Sequence, residues 1–372
     1  MSPRLRNGIR VLAATAIWAI PVLLAASWLA ACGSPPAAPT PTPPPLAEKI
    51  VLANWPDDIP QSVLDAFTTE YGVRVTYAAF ESMEQATANI RKGVEYDVVA
   101  LDNRYIPDLV KDGLLATIDS THVPNLKNIS ANFRDLVYDP GNHHSVPYNW
   151  GTTGLVVRSD LTYSPVDKWS DLWDPRYAGK IGLWRGEPRE TVGLALRSLG
   201  YSANSEQRPE LEAALDRLRQ LKRNALFVED FDPGSCASLL ESGKVIVAMG
   251  WSFDALKGRA LNPAITYVLP KEGALLWGDN FVIPANSARK STAEVFLNFL
   301  LRPKISAEIA NQNFYATPNE AAFSFIKQEI LNDPVVFPPD EVLKHAEIIL
   351  PLSAAGQRLH DEIWQRFMAE GD

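Results

Sequence analysis

From residue 48 onward, short apolar runs that suit strands alternate with amphipathic runs that suit helices. "KIVLANW" (49–55) reads as a strand ending in Trp55. Pro60 then opens a helical pattern carrying Val63, Leu64 and Phe67; proline fits a first turn because its missing N–H would be unpaired there anyway. "GVRVTYAAF" (72–80) alternates as a strand, "YDVVAL" (96–101) is a buried strand ending before Asp102, and "IPDLVKDGLL" (106–115) is a short helix closed by Gly113. Strands follow at "GLVVRSD", "KIGLWRG", "KVIVAMGW" and "AITYVLP". Helices are expected over 189–199, 210–222 and "TAEVFLNFLL", with a helical tail from about residue 340. Such alternation predicts an α/β fold with largely parallel sheets. In these folds ligands sit beyond the carboxyl ends of strands. There the chain places Trp55, Asp57 and Asp58, then Asp102, then Glu187 and Glu190, then Trp251 and Asp254.

One segment breaks the pattern. "ALLWGDNFVIPAN" (274–286) reads as a buried strand, yet Trp277, Gly278 and Asp279 stand inside it. A carboxylate in an apolar run is costly unless something pairs it. Asp279 is therefore expected to meet a cation.

The N-terminus reads as an address rather than as part of the fold. Arg4, Arg6 and Arg10 precede an apolar stretch from Val11 to about Ala31, as in an export signal. It ends "LAAC" and looks like a bacterial lipobox, which would make residues 1–31 a signal peptide and Cys32 a lipidated residue. The competing reading is an uncleaved membrane anchor. Two or more acyl chains would hold the protein lastingly to a membrane. "GSPPAAPTPTPPPLAE" then follows, and its prolines favour an extended tether over residues 32–47. The other cysteine, Cys236, has no disulfide partner if Cys32 is lipidated, and reads as a small buried apolar residue.

The chain has 372 residues, enough for one large or two medium domains. Its net charge is −9, and residues 1–31 contribute three arginines and no acid, so the remainder is more acidic still. That argues against nucleic acid or an anionic membrane surface as the main partner. The motifs G-x-S-x-G, the P-loop, G-x-G-x-x-G and H-E-x-x-H do not occur, and His143-His144 reads as a solvated turn near Gly141. No enzyme activity and no cofactor are expected.

Taken in order, the blocks "ANWPDDIP", "GVRVTYAAFESMEQ", "YDVVALDNRYI", "VPYNWGTTGL", "WSDLWDPRYAGKIGL", "PRETVGLALRSLGYSAN", "GKVIVAMGWSFD", "LPKEGALLWGDNFVIPANS", "FLNFLLRP" and "YATPNEAA" resemble the periplasmic spermidine/putrescine-binding proteins of ABC importers. The resemblance runs from about Ile50 to Phe367. It implies a bilobal periplasmic-binding-protein fold of type II-like form, two α/β lobes joined by crossing hinge segments, closing on ligand like a clamp. It places one lobe at 48–153 plus about 281–318, and the other at 154–280 plus about 319–372.

The family's aromatic positions fall on Trp55, Trp251, Trp277 and Tyr315, and its carboxylates on Glu187, Glu190 and Asp279. Asp57 and Asp254 match acids of the putrescine-type members. Asp58, Asp102 and Arg104 stand where the family often has tyrosine, serine and tyrosine, and Ile349 where spermidine-type members use glutamine. The implied function is capture of a polyamine for a membrane permease by a monomeric, lipid-anchored, extracytoplasmic protein. Chemically, carboxylates accept charge-assisted bonds from ammonium groups while aromatic faces pack the methylenes.

Simpler readings stand beside these. Asp57 and Asp58 could cap the helix after Pro60, Asp102 could cap a turn, Glu187 could be a helix-start acid, and Glu190 could pair with Arg189 or Arg185. Trp150, Trp169, Trp173 and Trp184 read as core. Thiamine, a quaternary amine or a cationic amino acid would be alternative ligands, and a ligand sensor an alternative role.

Overall fold

The computed structural model describes residues 45–228 and 235–369. The expected signal peptide, the expected lipobox with Cys32, and the expected tether as far as residue 44 lie outside the described residues. Among those described, no helix is long and apolar enough to cross a membrane.

Among the described residues, ten strands form one hydrogen-bonded system. They are β1 (Lys49–Asn54), β2 (Arg74–Ala79), β3 (Val98–Asp102), β4 (Ser145–Arg158), β5 (Ile181–Trp184), β6 (Ala225–Val228), β7 (Val247–Trp251), β8 (Ile265–Val268), β9 (Leu275–Val282) and β10 (Glu347–Ile348). The main order is β2-β1-β3-β9-β4-β7-β5-β6, with β8 on β4 and β10 on β9. β1, β2 and β3 pair in parallel, as do β7, β5 and β6, whereas β9 and β4 run antiparallel to each other and to β3 and β7. The expectation of largely parallel sheets is corrected accordingly. Two parallel sets are joined through a long antiparallel β4–β9 pair. β4 begins nine residues earlier than the "GLVVRSD" run suggested, because "SVPYNWGTT" pairs along β9.

Local signals were otherwise followed closely. The first helix is Gln61–Tyr71 with Pro60 as its N-cap residue; it buries Val63, Leu64 and Phe67, and Gly72 closes it at φ 69°. Such a positive φ costs glycine little and most residues more. The tail is less uniform than expected: a short helix Asp340–Leu343, then β10, then the helix Ala354–Ala369. β10 exists because Glu347 and Ile348 add to the edge of β9.

Two large hydrophobic cores lie on either side of the β4–β9 pair. One gathers Leu52, Phe67, Leu101, Val146, Phe281 and Phe296, among others. The other gathers Leu155, Trp169, Trp184, Met249, Leu275 and Ile349. Trp150, Trp169 and Trp184 are buried and Trp173 packs against the second core, as their core reading required. Cys236 is buried there too. Ile349 is therefore a core residue, and its side chain serves packing.

Candidate functional site

The site is built on one face of the sheet where the two parallel sets meet. In a strand, alternate residues share a face, and directly opposed residues on neighbouring strands share it too. Trp277 and Asp279 thus point the same way from β9. Asp102 on β3 is opposite Asp279, and Asn149 on β4 is opposite it on the other side. Two residues along, Gly151 faces Trp277, and a further two along, Thr153 faces Trp251 of β7. One continuous face therefore carries Asp102, Asp279, Asn149, Trp277, Thr153 and Trp251.

Gly151 is needed in this row. A Cβ there would lie 2.3 Å from the Trp277 ring, so only glycine lets the indole lie across β4. The edge of Trp277 meets Tyr315, ring centroids 5.1 Å apart at 84°. Tyr315 is delivered by the end of the helix Pro303–Asn313, where Phe314 adopts φ 59° and Asn313 accepts the Tyr315 N–H at 3.1 Å. Trp55 leaves β1 against Phe80 and donates its indole N–H to Asp279 at 3.2 Å.

The remaining acids differ in their engagement. Asp58 is buried, and both its carboxylate oxygens accept amide bonds, from Asn54 at 3.1 Å and Asn313 at 3.0 Å. It ties the turn after β1 to the segment carrying Tyr315, and the helix-cap alternative does not hold for it. Asp57 is exposed at that turn with φ 56°, apart from the buried group. Asp102 caps the turn after β3 through the Arg104 N–H and also accepts the Arg104 guanidinium Nε, each at 2.8 Å. Glu187 is the N-cap residue of the helix Pro188–Ser198 but makes no side-chain cap bond. Glu190, in its first turn, accepts from Thr153 at 2.9 Å and from the Trp251 indole. Its supposed partner Arg189 instead donates to Ala203 and Asn204. Asp254 is fully buried; one oxygen caps the helix Ser252–Leu261 by accepting the Trp251 N–H at 3.0 Å, and the other has no hydrogen-bond partner among the described residues.

This arrangement holds negative charge out of water. Burial pushes the Asp279 carboxyl well above its ordinary pKa, and the Asp102 and Asp58 charges push it further. Glu187 keeps some exposure but lies deep in the protein; burial and Glu190 raise it to about 8. Burial raises Glu190 and takes Asp254 to about 6. Burial opposes the charge on Arg104, but Asp102 and Glu187 outweigh it and hold its pKa above the ordinary value. Two further polar atoms on the same face, Trp277 Nε1 and Asn149 Oδ1, are buried without partners among the described residues.

Sequence reasoning singled out the acids and aromatics but missed Asn149, Gly151 and Thr153. The period-2 pattern of "NWGTT" shows that they share a face, but only the pairing with β9 shows which face.

A fold with two cores joined by crossing strands, and a charged, aromatic-lined face at the junction, defines a solute-binding protein of the bilobal kind. The family described as bacterial extracellular solute-binding protein matches residues 62–338. The chain is 34% identical over 319 residues to the spermidine/putrescine-binding periplasmic protein of Escherichia coli, covering 85% of this chain and 90% of that one. It is 31% identical over 335 residues to the putrescine-binding periplasmic protein SpuD of Pseudomonas aeruginosa, covering 84% and 90%. The crystal structure of the spermidine/putrescine ABC transporter substrate-binding protein PotD of Streptococcus pneumoniae superposes with a TM-score of 0.78 at 30% identity, covering 87% and 99%. The chain belongs to the bacterial extracellular solute-binding proteins, in the family of the spermidine/putrescine-binding periplasmic proteins.

Proposed function

We propose that the protein captures a polyamine between its two lobes and delivers it to the membrane subunits of an ABC importer. The observation that carries this reading is the excess of buried carboxylates on and around one sheet face. Asp279, Glu187 and Glu190 stand there beside Trp55, Trp251, Trp277 and Tyr315. Among the described residues, no cation is hydrogen-bonded to these three acids, and Arg104 is bound to Asp102, which stands opposite Asp279. Buried charges need partners, and a chain of methylenes bearing ammonium groups supplies them. Carboxylates would hold its ends and indole faces its stem, each cation–π contact adding about 0.5–2 kcal/mol. Asp57, Asp58, Asp102 and Asp254 would act around this grip rather than as its centre.

The lobes we assign are 48–153 with about 281–318, and 154–280 with about 319–372. The membership of the two large cores supports that division. The β4–β9 pair would then serve as the hinge, and a bound cation would drive closure by pairing acids that repel one another in the empty cleft. The "LAAC" run supports lipidation of Cys32 and an extracytoplasmic, membrane-tethered location. A structural neighbour at 26% identity and a TM-score of 0.76 is a lipoprotein of Treponema pallidum.

Titration calorimetry on residues 45–372 tests the reading with putrescine, spermidine, spermine, cadaverine, agmatine, thiamine and arginine. Tight binding of a polyamine is expected. Binding of thiamine or arginine in place of every polyamine would replace the ligand class.

The raised carboxyl pKa values also set a pH dependence. A cation binds the ionised carboxylates, so binding must expel the protons that the raised carboxyls of the grip, Asp279, Glu190 and Glu187 near 8, hold in the empty site. Affinity should rise by roughly tenfold or more from pH 6 to pH 8. Calorimetry in two buffers of unlike ionisation heat should register proton release, and affinity falling over that range would contradict the assignment. Stability of the empty protein should move oppositely. A carboxyl raised by folding binds more protons folded than unfolded, so stability is lost as pH climbs from the unfolded Glu value toward 8.

A further inference from the structure

Among the described residues, Arg104 is the cation hydrogen-bonded to an acid of this face, and its surroundings restrict what else can enter. It lies two residues beyond the end of β3, and both its backbone N–H and its Nε donate to the same oxygen of Asp102 at 2.8 Å. The pair is largely buried, with side-chain exposures of 19% and 7%. Among the described residues, no acceptor is hydrogen-bonded to its two terminal nitrogens. Asp102 stands opposite Asp279 across β3 and β9, so the ion pair with Asp102 holds the guanidinium at this acidic face, and its charge acts against the burial that raises Glu187, Glu190 and Asp279.

We propose that Arg104 is a resident cation occupying the Asp102–Glu187 end of the cleft in place of a ligand ammonium, and that it thereby restricts the site to a diamine. This rests on the polyamine reading above. The engagement of the acids supports it. Asp102 is neutralised by Arg104, and Asp58 is saturated by two side-chain amides. One oxygen of Asp254 caps a helix; the other has no hydrogen-bond partner among the described residues, but the carboxyl lies beneath Gly250 beside Cys236, on the side of β7 away from Trp251. That leaves Asp279 and Glu190 as the buried acids of this face whose hydrogen-bond donors, Trp55, Thr153 and Trp251, are all neutral. Two such acids match two ammonium groups. A third ammonium would have to approach the guanidinium in a medium that screens like charges poorly. A single ligand carboxylate on Arg104 would instead meet the carboxylate of Asp102, already bound to the same guanidinium at 2.8 Å, which disfavours a zwitterion.

The experiment is calorimetry of putrescine, spermidine and 4-aminobutyrate against the unaltered protein, Arg104→Lys, Arg104→Met and the double variant Asp102→Ser/Arg104→Met. The double variant removes the ion pair together, so no unpaired buried carboxylate compromises folding, which circular dichroism checks in each case. The unaltered protein and Arg104→Lys should prefer putrescine over spermidine by tenfold or more. In the double variant spermidine should bind at least tenfold tighter than to the unaltered protein, erasing the preference. Spermidine bound as tightly as putrescine by the unaltered protein would overturn the proposal while leaving the polyamine reading intact. So would an unchanged ratio in the double variant. 4-Aminobutyrate bound as tightly as putrescine and lost in Arg104→Met would make Arg104 an anion partner, which also overturns it. Failure of both amines to bind the unaltered, folded protein removes the polyamine reading and this proposal with it.

Discussion

Asp279→Ala is expected to weaken polyamine binding by roughly 30-fold or more, since losing one member of a buried charge pair costs about 2–5 kcal/mol. The magnitude follows from position. Asp279 lies opposite Asp102 across β3 and β9, a placement that puts two carboxylates roughly 5 Å apart at Cβ. Its hydrogen-bond donor is the neutral Trp55 indole. In the empty protein it is a liability, with burial pushing its pKa well up. Asp279→Asn should therefore leave the empty protein as stable as before, or more stable, while still removing most of the affinity. Urea unfolding without ligand, set beside calorimetry, separates the two effects. An Asn variant that binds normally would show that Asp279 does not hold the cation.

The opposite profile is expected at Asp97, at the other end of β3. Its carboxylate is fully buried. It accepts the Val51 N–H at 2.8 Å, the Ser287 hydroxyl at 2.6 Å and the Arg289 Nε at 2.9 Å, tying β1 to the loop after β9. Every oxygen position is satisfied inside the protein, so this acid has no vacancy for a ligand. Asp97→Ala strands a partly buried guanidinium and a backbone donor, and should cost about 3 kcal/mol or more of stability. The urea midpoint should fall at unchanged slope, while the surviving folded protein binds ligand with unaltered affinity. A loss of affinity without a loss of stability would place Asp97 in the site, against this account.

These two acids show why the sequence was informative about one and silent about the other. Asp279 advertised itself by interrupting an apolar run with a tryptophan two residues before it. Asp97 sits in "EYDVVAL", where a carboxylate before a strand has no distinguishing context. The same contrast holds for the other acids. Asp57 matched an acid of the putrescine-type members and Asp58 stood where the family often has tyrosine, yet Asn54 and Asn313 bury and saturate Asp58 while Asp57 stays exposed. Glu190 invited a salt bridge to its neighbour Arg189. The helix instead points Arg189 toward Ala203 and Asn204, and leaves Glu190 to Thr153 of a strand 37 residues earlier.

The sequence by itself determined the strand–helix alternation, the α/β class and most element positions. It also showed that Trp277 and Asp279 share one face, because these follow from periods of two and 3.6 residues and from local proline and glycine chemistry. The tertiary structure alone decided that β4 and β9 would run antiparallel through the centre, and with them which residues meet. Asp102, Asn149 and Gly151 gained their places from strand register, a long-range choice set by burying two cores at once. Register is also what turns scattered acids into a site, since a carboxylate's charge state depends on the neighbours that exclude water from it.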